Sequence, residues 1–147
     1  MISTSCYNSK PSSNSESINE VKDLLENYYS IMSDKDWIKY QTFFIDDATL
    51  TTVWQAEGET TASIHANSIS DFIAQTKDGP DSQRIFEENM ISSDITLKQN
   101  IASAWVTYEA KFGTEENLME WKGNDLFSFI GHNGDWKITS LVFESIH

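Results

Sequence analysis

The sequence predicts an α+β domain in which helices cover one face of a curved, mainly antiparallel sheet. Apolar residues recur at helical spacing in the first part of the chain and alternate at strand spacing in the second part. No internal repeat and no second domain interrupt the 147 residues, a length that corresponds to about one domain. An order in which helices come first and long strands last is typical of the α+β class.

The first helix is marked by Ser17 and Glu20, which have the spacing of a capping box. A stripe of apolar side chains then repeats at three- and four-residue spacing: Ile18, Val21, Leu24, Leu25, Tyr28, Ile31 and Met32. Such a stripe predicts one helix face buried against the rest of the domain.

Two shorter helices follow. Asp36 is placed to cap the second, and one side of that helix carries Trp37, Tyr40, Gln41 and Phe44. The third is predicted over residues 68–76, and the segment Asp78-Gly79-Pro80 stops it.

The strands are predicted over residues 48–55, 60–64, 85–97, 101–112, 118–130 and 135–146. The strand over 85–97 is long enough to carry a bulge. In the strand over 101–112, one face carries Ala102, Ala104, Val106, Tyr108, Ala110 and Phe112, and the other carries Ser103, Trp105, Thr107 and Glu109. In the last strand, Trp136, Ile138, Ser140, Val142 and Glu144 are in phase.

Composition excludes several classes of function. A formal net charge of −13 argues against binding to nucleic acid phosphates or to anionic lipid. No apolar run approaches the ~18 residues that would span a bilayer. Cys6 is the only cysteine, which excludes an intramolecular disulfide and a thiolate zinc site. Eight Phe, five Tyr and five Trp leave an acidic domain rich in large rings.

The first sixteen residues are rich in serine and predict a flexible arm, with one folded domain over residues 17–147. The segment from Ile2 to Cys6 resembles the cleavage region of a bacterial lipoprotein, without the upstream apolar signal core. A cytoplasmic location is the default expectation. Export as a lipoprotein anchored at Cys6 is the alternative.

The C-terminal part carries a resemblance to a known superfamily. Residues 123–129 (GNDLFSF) and 134–138 (GDWKI) follow residues 102–108 and 36–44 in an order similar to that of nuclear-transport-factor-2-like, or SnoaL-like, proteins of cystatin-like α+β cone fold. The resemblance covers residues 18–146. It implies three helices wrapped inside a strongly bent sheet, a conical pocket between them, and dimerisation through the outer sheet face. Several unrelated activities share this scaffold, so the resemblance implies no particular reaction.

Strand phase predicts which side chains line such a pocket. The residues expected to point inward are Tyr108, Phe112, Trp121, Asp125, Phe127 and Ser140, and Trp54 and Phe44 are expected to close the pocket. Ordinary core packing is the alternative for any one of these rings. Three alanines on the Tyr108 face leave room between the large rings.

Asp125 is the most informative single residue, because a carboxylate on an apolar strand face is costly to bury without a partner. Burial would raise its pKa and suit it to accept or donate a proton. A structural cap or a position at the rim is the alternative. His65, expected in a loop near the opening, is the second candidate for a catalytic role.

The sequence contains no recognisable metal site, nucleophile motif or nucleotide-binding glycine pattern, so we expect no metal and no cofactor. Isomerase- and dehydratase-like relatives often carry a histidine on the last strand, where this chain has Ser140 and Val142. An acid–base pair is therefore incomplete unless Asp125 finds Tyr108 or His65.

Three functions remain open. The favoured one is a module that binds a small hydrophobic or aromatic molecule, oriented by Tyr108, Asp125 and Ser140. The second is a cofactor-independent lyase or isomerase that resembles ketosteroid isomerase, in which Asp125 moves a proton while Tyr108 stabilises an oxyanion. The third is a homodimeric interaction module that pairs through the outer face around Trp105, with a vestigial pocket.

Overall fold

The computed structural model describes residues 13–55 and 58–146 of the chain. The helices of this part are α1 (Asn14–Ser33), α2 (Trp37–Gln41) and α3 (Ile69–Gln75). The strands are β1 (Phe44–Trp54), β2 (Ser63–Ser68), β3 (Ile85–Lys98), β4 (Ile101–Gly113), β5 (Leu118–His132) and β6 (Asp135–Ile146). Cys6 and the lipoprotein-like segment lie outside the described residues.

The described strands form one sheet in the order β2-β1-β6-β5-β4-β3. β1 and β6 run parallel, and every other neighbouring pair is antiparallel. The helices pack in the concave face of this curved sheet, α1 chiefly against β3 and α3 chiefly against β1. The predicted α+β class and its mainly antiparallel sheet are confirmed.

Helix α1 begins earlier than predicted. Ser13, not Ser17, is the N-cap, and its capping box is completed by Glu16. Ser17 is instead buried in the first turns of the helix. Residues 14–16, assigned to the arm from the sequence, are therefore helical.

Phe44 is not on the second helix. The Asp36 side chain accepts a hydrogen bond from the Lys39 N–H, as the prediction of a cap required. The helix then ends at Gln41, and Phe44 opens β1 opposite Ile138 of β6. The prediction of the helix end was wrong because β1, which pairs with β6 at Phe44, begins before Asp46 and Asp47.

β2 also differs from the prediction. Trp54 pairs with Ser63 and Thr52 pairs with His65, so β2 runs over Ser63–Ser68 and not over residues 60–64. His65 therefore lies on a strand and not in a loop. The strand continues to Ser68, which caps α3 by accepting a hydrogen bond from the Asp71 N–H.

The central strands follow their sequence pattern. On β4 the residues from Ala102 to Ala110 that share the Tyr108 face are buried, whereas Trp105 and Glu109 on the other face are exposed. The predicted bulge in β3 lies between Met90 and Ser92.

A bulge in β6 reverses the predicted phase of its second half. Phe129 pairs with Ile138 but Ser128 pairs with Ser140, which leaves Thr139 as the extra residue. Beyond the bulge, side chains exchange faces, so Leu141 points into the core. Ser140 points outward, where its hydroxyl bonds to that of Ser128 at 3.0 Å. The predicted inward position of Ser140 is therefore wrong.

Candidate functional site

A cavity of about 580 Å³ lies between the concave face of the sheet and the helices. Its ring-bearing walls are Tyr28, Tyr40, Trp54, Phe72, Phe86, Tyr108, Phe112, Trp121 and Phe143. Its polar lining is Thr52, His65, Asn67, Gln75, Glu88 and Asp125. Tyr40 and Asp125 are buried whereas Trp54, His65 and Met119 are exposed, so the cavity opens between β1, β2 and the start of β5.

Most of the residues predicted for the site line this cavity: Trp54, His65, Tyr108, Phe112, Trp121 and Asp125. Trp54 keeps 43% of its surface exposed and stands at the opening. Tyr108 and Asp125 are only 2% and 3% exposed, so they belong to the interior part of the lining.

Three predicted residues lie elsewhere. Phe44 and Phe127 are core residues beneath the cavity wall, where each packs against the ring of Tyr28, Phe127 at a centroid distance of 5.1 Å. Ser140 lies on the outer face beyond the β6 bulge. The strand phase correctly predicted that Phe127 points inward. Its ring packs against Tyr28 and Tyr29 of α1, however, and does not line the cavity.

Asp125 accepts a hydrogen bond on Oδ2 from the hydroxyl of Tyr29 on α1. Burial raises the pKa of Asp125 to about 7, and the Tyr29 hydrogen bond acts in the opposite direction. Near neutral pH this carboxyl therefore occurs in both protonation states. Its partner is neither Tyr108 nor His65, the two that the sequence suggested.

Tyr29 was missed by the sequence analysis because its neighbour Tyr28 already fitted the apolar stripe. Its spacing of four from Leu25 and three from Met32 also places it on the buried face of α1. Burial and the negative charge of Asp125 raise the pKa of the Tyr29 hydroxyl far above its ordinary value. Tyr29 therefore keeps its proton and acts as a permanent donor to Asp125.

A hydrogen-bonded pair of tyrosine hydroxyls lies beside the Asp125–Tyr29 pair. Tyr40 donates to Tyr28 at 2.9 Å, and the ring of Tyr28 meets that of Tyr29 edge-on at 4.9 Å. Burial raises the pKa of both Tyr28 and Tyr40. Tyr28 and Tyr40 therefore form an uncharged, hydrogen-bonded part of the cavity lining.

Glu88 is a second carboxyl on the cavity lining, and the sequence analysis missed it. It lies on the inner face of β3 between Phe86 and Met90. The Ser33 hydroxyl at the end of α1 donates to the Glu88 carbonyl at 3.0 Å and accepts from the Glu88 N–H at 2.9 Å. Burial raises the pKa of Glu88, and the charge of Asp125 raises it further. The sequence offered one signal for Glu88: it stands where the alternation of β3 calls for an apolar residue, between Phe86 and Met90.

Tyr108 is positioned by a glycine on the next strand. A Cβ atom at Gly123, its partner in the ladder, would lie 2.4 Å from the Tyr108 ring. The absence of that atom lets the ring lie flat over β5, where Trp121 Nε1 donates to the Tyr108 hydroxyl at 3.4 Å. Trp121 and Tyr108 therefore form one connected wall of the cavity.

Two features are absent from the part of the chain that the structure describes. No group of three or more His, Cys, Asp or Glu side chains is arranged there to hold a metal ion. None of the helices in residues 13–55 and 58–146 is long and apolar enough to cross a membrane.

Fold and cavity together define a cone-shaped α+β domain built to enclose a ligand. The chain belongs to the family described as "Putative lumazine-binding", whose model matches residues 16–144. It is thereby a member of the nuclear-transport-factor-2-like superfamily and a ligand-binding domain of that fold. No curated protein matches the chain.

Solved structures share this fold at low sequence identity. A nuclear-transport-factor-2-like protein of unknown function from Silicibacter pomeroyi is 22% identical, with a TM-score of 0.63 over 92% of this chain and 100% of that one. A "Putative Scytalone Dehydratase" from Novosphingobium aromaticivorans is 12% identical, with a TM-score of 0.73 over 91% and 87%. The β subunit of the benzoate 1,2-dioxygenase of Burkholderia mallei is 10% identical, with a TM-score of 0.67 over 88% and 90%.

Proposed function

We propose that this protein binds a flat, apolar or aromatic small molecule that presents a polar group to Asp125. The observation that carries the proposal is the buried Asp125–Tyr29 pair on the wall of a ring-lined cavity. A volume of about 580 Å³ is within the range of ligand pockets, roughly 300–1,000 Å³. The lumazine-binding description of the family supports a small-molecule ligand.

The lining supplies the two kinds of contact that such a ligand needs. Tyr108 and Trp121 offer adjoining ring surfaces for stacking or edge contacts. Asp125 accepts a hydrogen bond when ionised and donates one when protonated, and its pKa of about 7 makes both forms available. Names of two structural neighbours refer to scytalone and benzoate, which are small organic molecules.

Calorimetric titration with 2-naphthol and with lumazine tests this function. We expect saturable binding with one site per chain, and a loss of affinity of about tenfold or more in Trp121→Ala, because a ring that contacts the ligand is removed. Trp105→Ala is the matched control, since Trp105 lies on the outer face. Failure of both compounds to bind, or equal losses in the two variants, would contradict the proposal.

A cofactor-independent isomerase or lyase is the second candidate, favoured by the pKa of Asp125 near 7. In such a reaction the Asp125 carboxylate takes a proton from the carbon next to a carbonyl group. The electron pair of that C–H bond forms an enolate, whose oxygen Tyr108 would stabilise. The proton then returns from Asp125 to carbon.

Exchange of the α-protons of 2-tetralone in D₂O, followed by proton NMR, tests this chemistry. The wild-type protein should accelerate exchange by about 10²-fold or more over Asp125→Asn, while both bind the ketone. Equal exchange rates in wild type and variant would exclude Asp125 as the base.

We also propose that the chain forms a homodimer through the outer sheet face. Trp105 is 59% exposed there, and it lies in one row across the sheet with Leu126 of β5 and Val142 of β6. The β6 bulge brings Val142 to this face. An apolar row of this kind on a sheet surface is typical of a contact with a second protein surface.

A further inference from the structure

We infer that the small molecule bound in this cavity carries a positively charged nitrogen, held by the carboxylates of Glu88 and Asp125. The inference deepens the proposed function, on which it rests, because it specifies the class of ligand for the same cavity. The expected class is an aromatic or aralkyl amine, or another nitrogen compound that is protonated near neutral pH.

Glu88 is a half-buried residue of the cavity lining, and no protein partner of its carboxyl occurs among the described residues. No side-chain hydrogen bond or ion pair of Glu88 occurs among the described residues, although its carboxyl belongs to the cavity lining. Ser33 holds both backbone groups of Glu88, so the strand cannot easily turn this side chain out toward water. A carboxylate partly withdrawn from water is stabilised by a donor or a counter-charge, and a molecule bound in the cavity that Glu88 lines can supply one.

Asp125 has spare accepting capacity toward the same space. Its Oδ2 accepts from Tyr29, and no other hydrogen bond to this carboxyl occurs within the described part of the chain. A carboxylate has about four lone-pair positions. An ammonium or protonated ring nitrogen carries several donors and can serve both carboxyls.

The remaining lining also suits a cation. The described residues that line the cavity include neither Lys nor Arg, so a bound carboxylate or phosphate would meet two acids and no counter-charge. The rings of Tyr28, Tyr40, Tyr108 and Trp121 present π-faces or edges around the same volume, and π-faces attract cations. A net charge of −13 favours the approach of cations to the protein as a whole.

Binding of a cation should release protons. The titratable groups that line or adjoin the cavity are Tyr28 and Tyr29 of α1, Tyr40 of α2, His65 of β2, Glu88 of β3, Tyr108 of β4 and Asp125 of β5. Burial raises the pKa of both carboxyls, that of Asp125 to about 7, so the unliganded protein keeps part of the Asp125 proton at pH 7. A cation nearby lowers both pKa values, and the displaced protons pass to the buffer.

Calorimetry with three probes of one ring system tests the inference: 2-naphthylmethylamine, 2-naphthalenemethanol and 2-naphthoate. At pH 7 the amine should bind about tenfold or more tightly than the alcohol, and 2-naphthoate should bind most weakly. Comparison of phosphate with Hepes buffer should show proton release with the amine and none with the alcohol.

Glu88→Gln keeps the shape of the side chain and removes its charge. It should lower the affinity for the amine about tenfold and reduce proton release, so that the preference for the amine over the alcohol is largely lost. Glu87→Gln is the matched control, because Glu87 is the neighbouring residue on the exposed face of β3. Unchanged amine affinity in Glu88→Gln would overturn the inference.

The comparison of amine with alcohol binding by the wild-type protein tests the inference even if Glu88→Gln does not fold. Amine and alcohol binding with equal affinity would overturn the positively charged ligand but leave the proposed binding function standing. Failure of all three probes, together with 2-naphthol and lumazine, would overturn the binding function itself.

Discussion

Asp125 is the residue on which the proposed binding and catalytic chemistry both depend. Its pKa of about 7 results from burial, which the single hydrogen bond from Tyr29 only partly offsets. Keeping this carboxyl ionised inside the fold therefore costs stability. Raised pKa values of this origin cluster at functional sites, where a protein tolerates the cost.

The cost makes stability depend on pH in a definite direction. Between its ordinary pKa of 3.8 and about 7, Asp125 keeps a proton in the folded state that it loses on unfolding. The free energy of unfolding must therefore fall as pH rises through this interval. Between pH 5.5 and 8.5 the loss from this one group is about 2 kcal/mol.

Asp125→Asn removes this titration while it keeps an oxygen that can accept from Tyr29. We expect the stability of the variant relative to wild type, measured by urea unfolding, to improve by about 2 kcal/mol from pH 5.5 to pH 8.5. Asp94→Asn, which alters an exposed carboxyl of β3, is the control and should show no such trend. A difference between Asp125→Asn and wild type that does not change with pH would contradict a buried, titrating Asp125.

Single residues were predictable from the sequence where one polar group interrupted an apolar pattern. Asp125 was identified in this way, and Glu88 between Phe86 and Met90 satisfied the same criterion. Tyr29 was harder to predict, because tyrosine occurs both in cores and at surfaces. Its role depends on Asp125, which is 96 residues away in the chain.

At the scale of elements, local patterns predicted those strands whose two faces differ in polarity. The alternation in β4 reports burial on one side and solvent on the other, so the inward positions of Tyr108 and Phe112 followed directly. Gly123, which accommodates the Tyr108 ring on β5, could not be assigned that role without the strand register.

Elements whose geometry depends on a partner strand were predicted less well. The bulge at Thr139 is set by pairing with β5, and a shift of one residue moves every later side chain to the other face. Ser140 was assigned to the pocket for that reason. β1 begins at Phe44 because β6 pairs with it in parallel, a contact between distant parts of the chain.

At the scale of the whole molecule, the outer sheet face offers a test of the proposed dimer. Trp105→Glu places a charge in the apolar row shared with Leu126 and Val142. We expect this variant to sediment as a monomer in analytical ultracentrifugation, and the wild-type chain as a dimer. Ile38→Glu, on the exposed side of α2, is the control and should leave the dimer intact. A Trp105→Glu dimer of unchanged stability would place the interface elsewhere or exclude it.

The cavity depends on single residues, on strand geometry and on the packing of helices against the sheet. The concave face of the sheet forms one side of the cavity, and α1 closes it with Tyr28 and Met32. The proposed function requires that this enclosed volume hold a small molecule against Asp125.

A crystal structure of the protein grown with 2-naphthol would show whether the cavity does so. We predict electron density for the two fused rings beside Tyr108 and Trp121, with the ligand oxygen within hydrogen-bond distance of Asp125. Density that shows the cavity filled by the protein's own side chains, or 2-naphthol bound only on the outer surface, would contradict the proposed function.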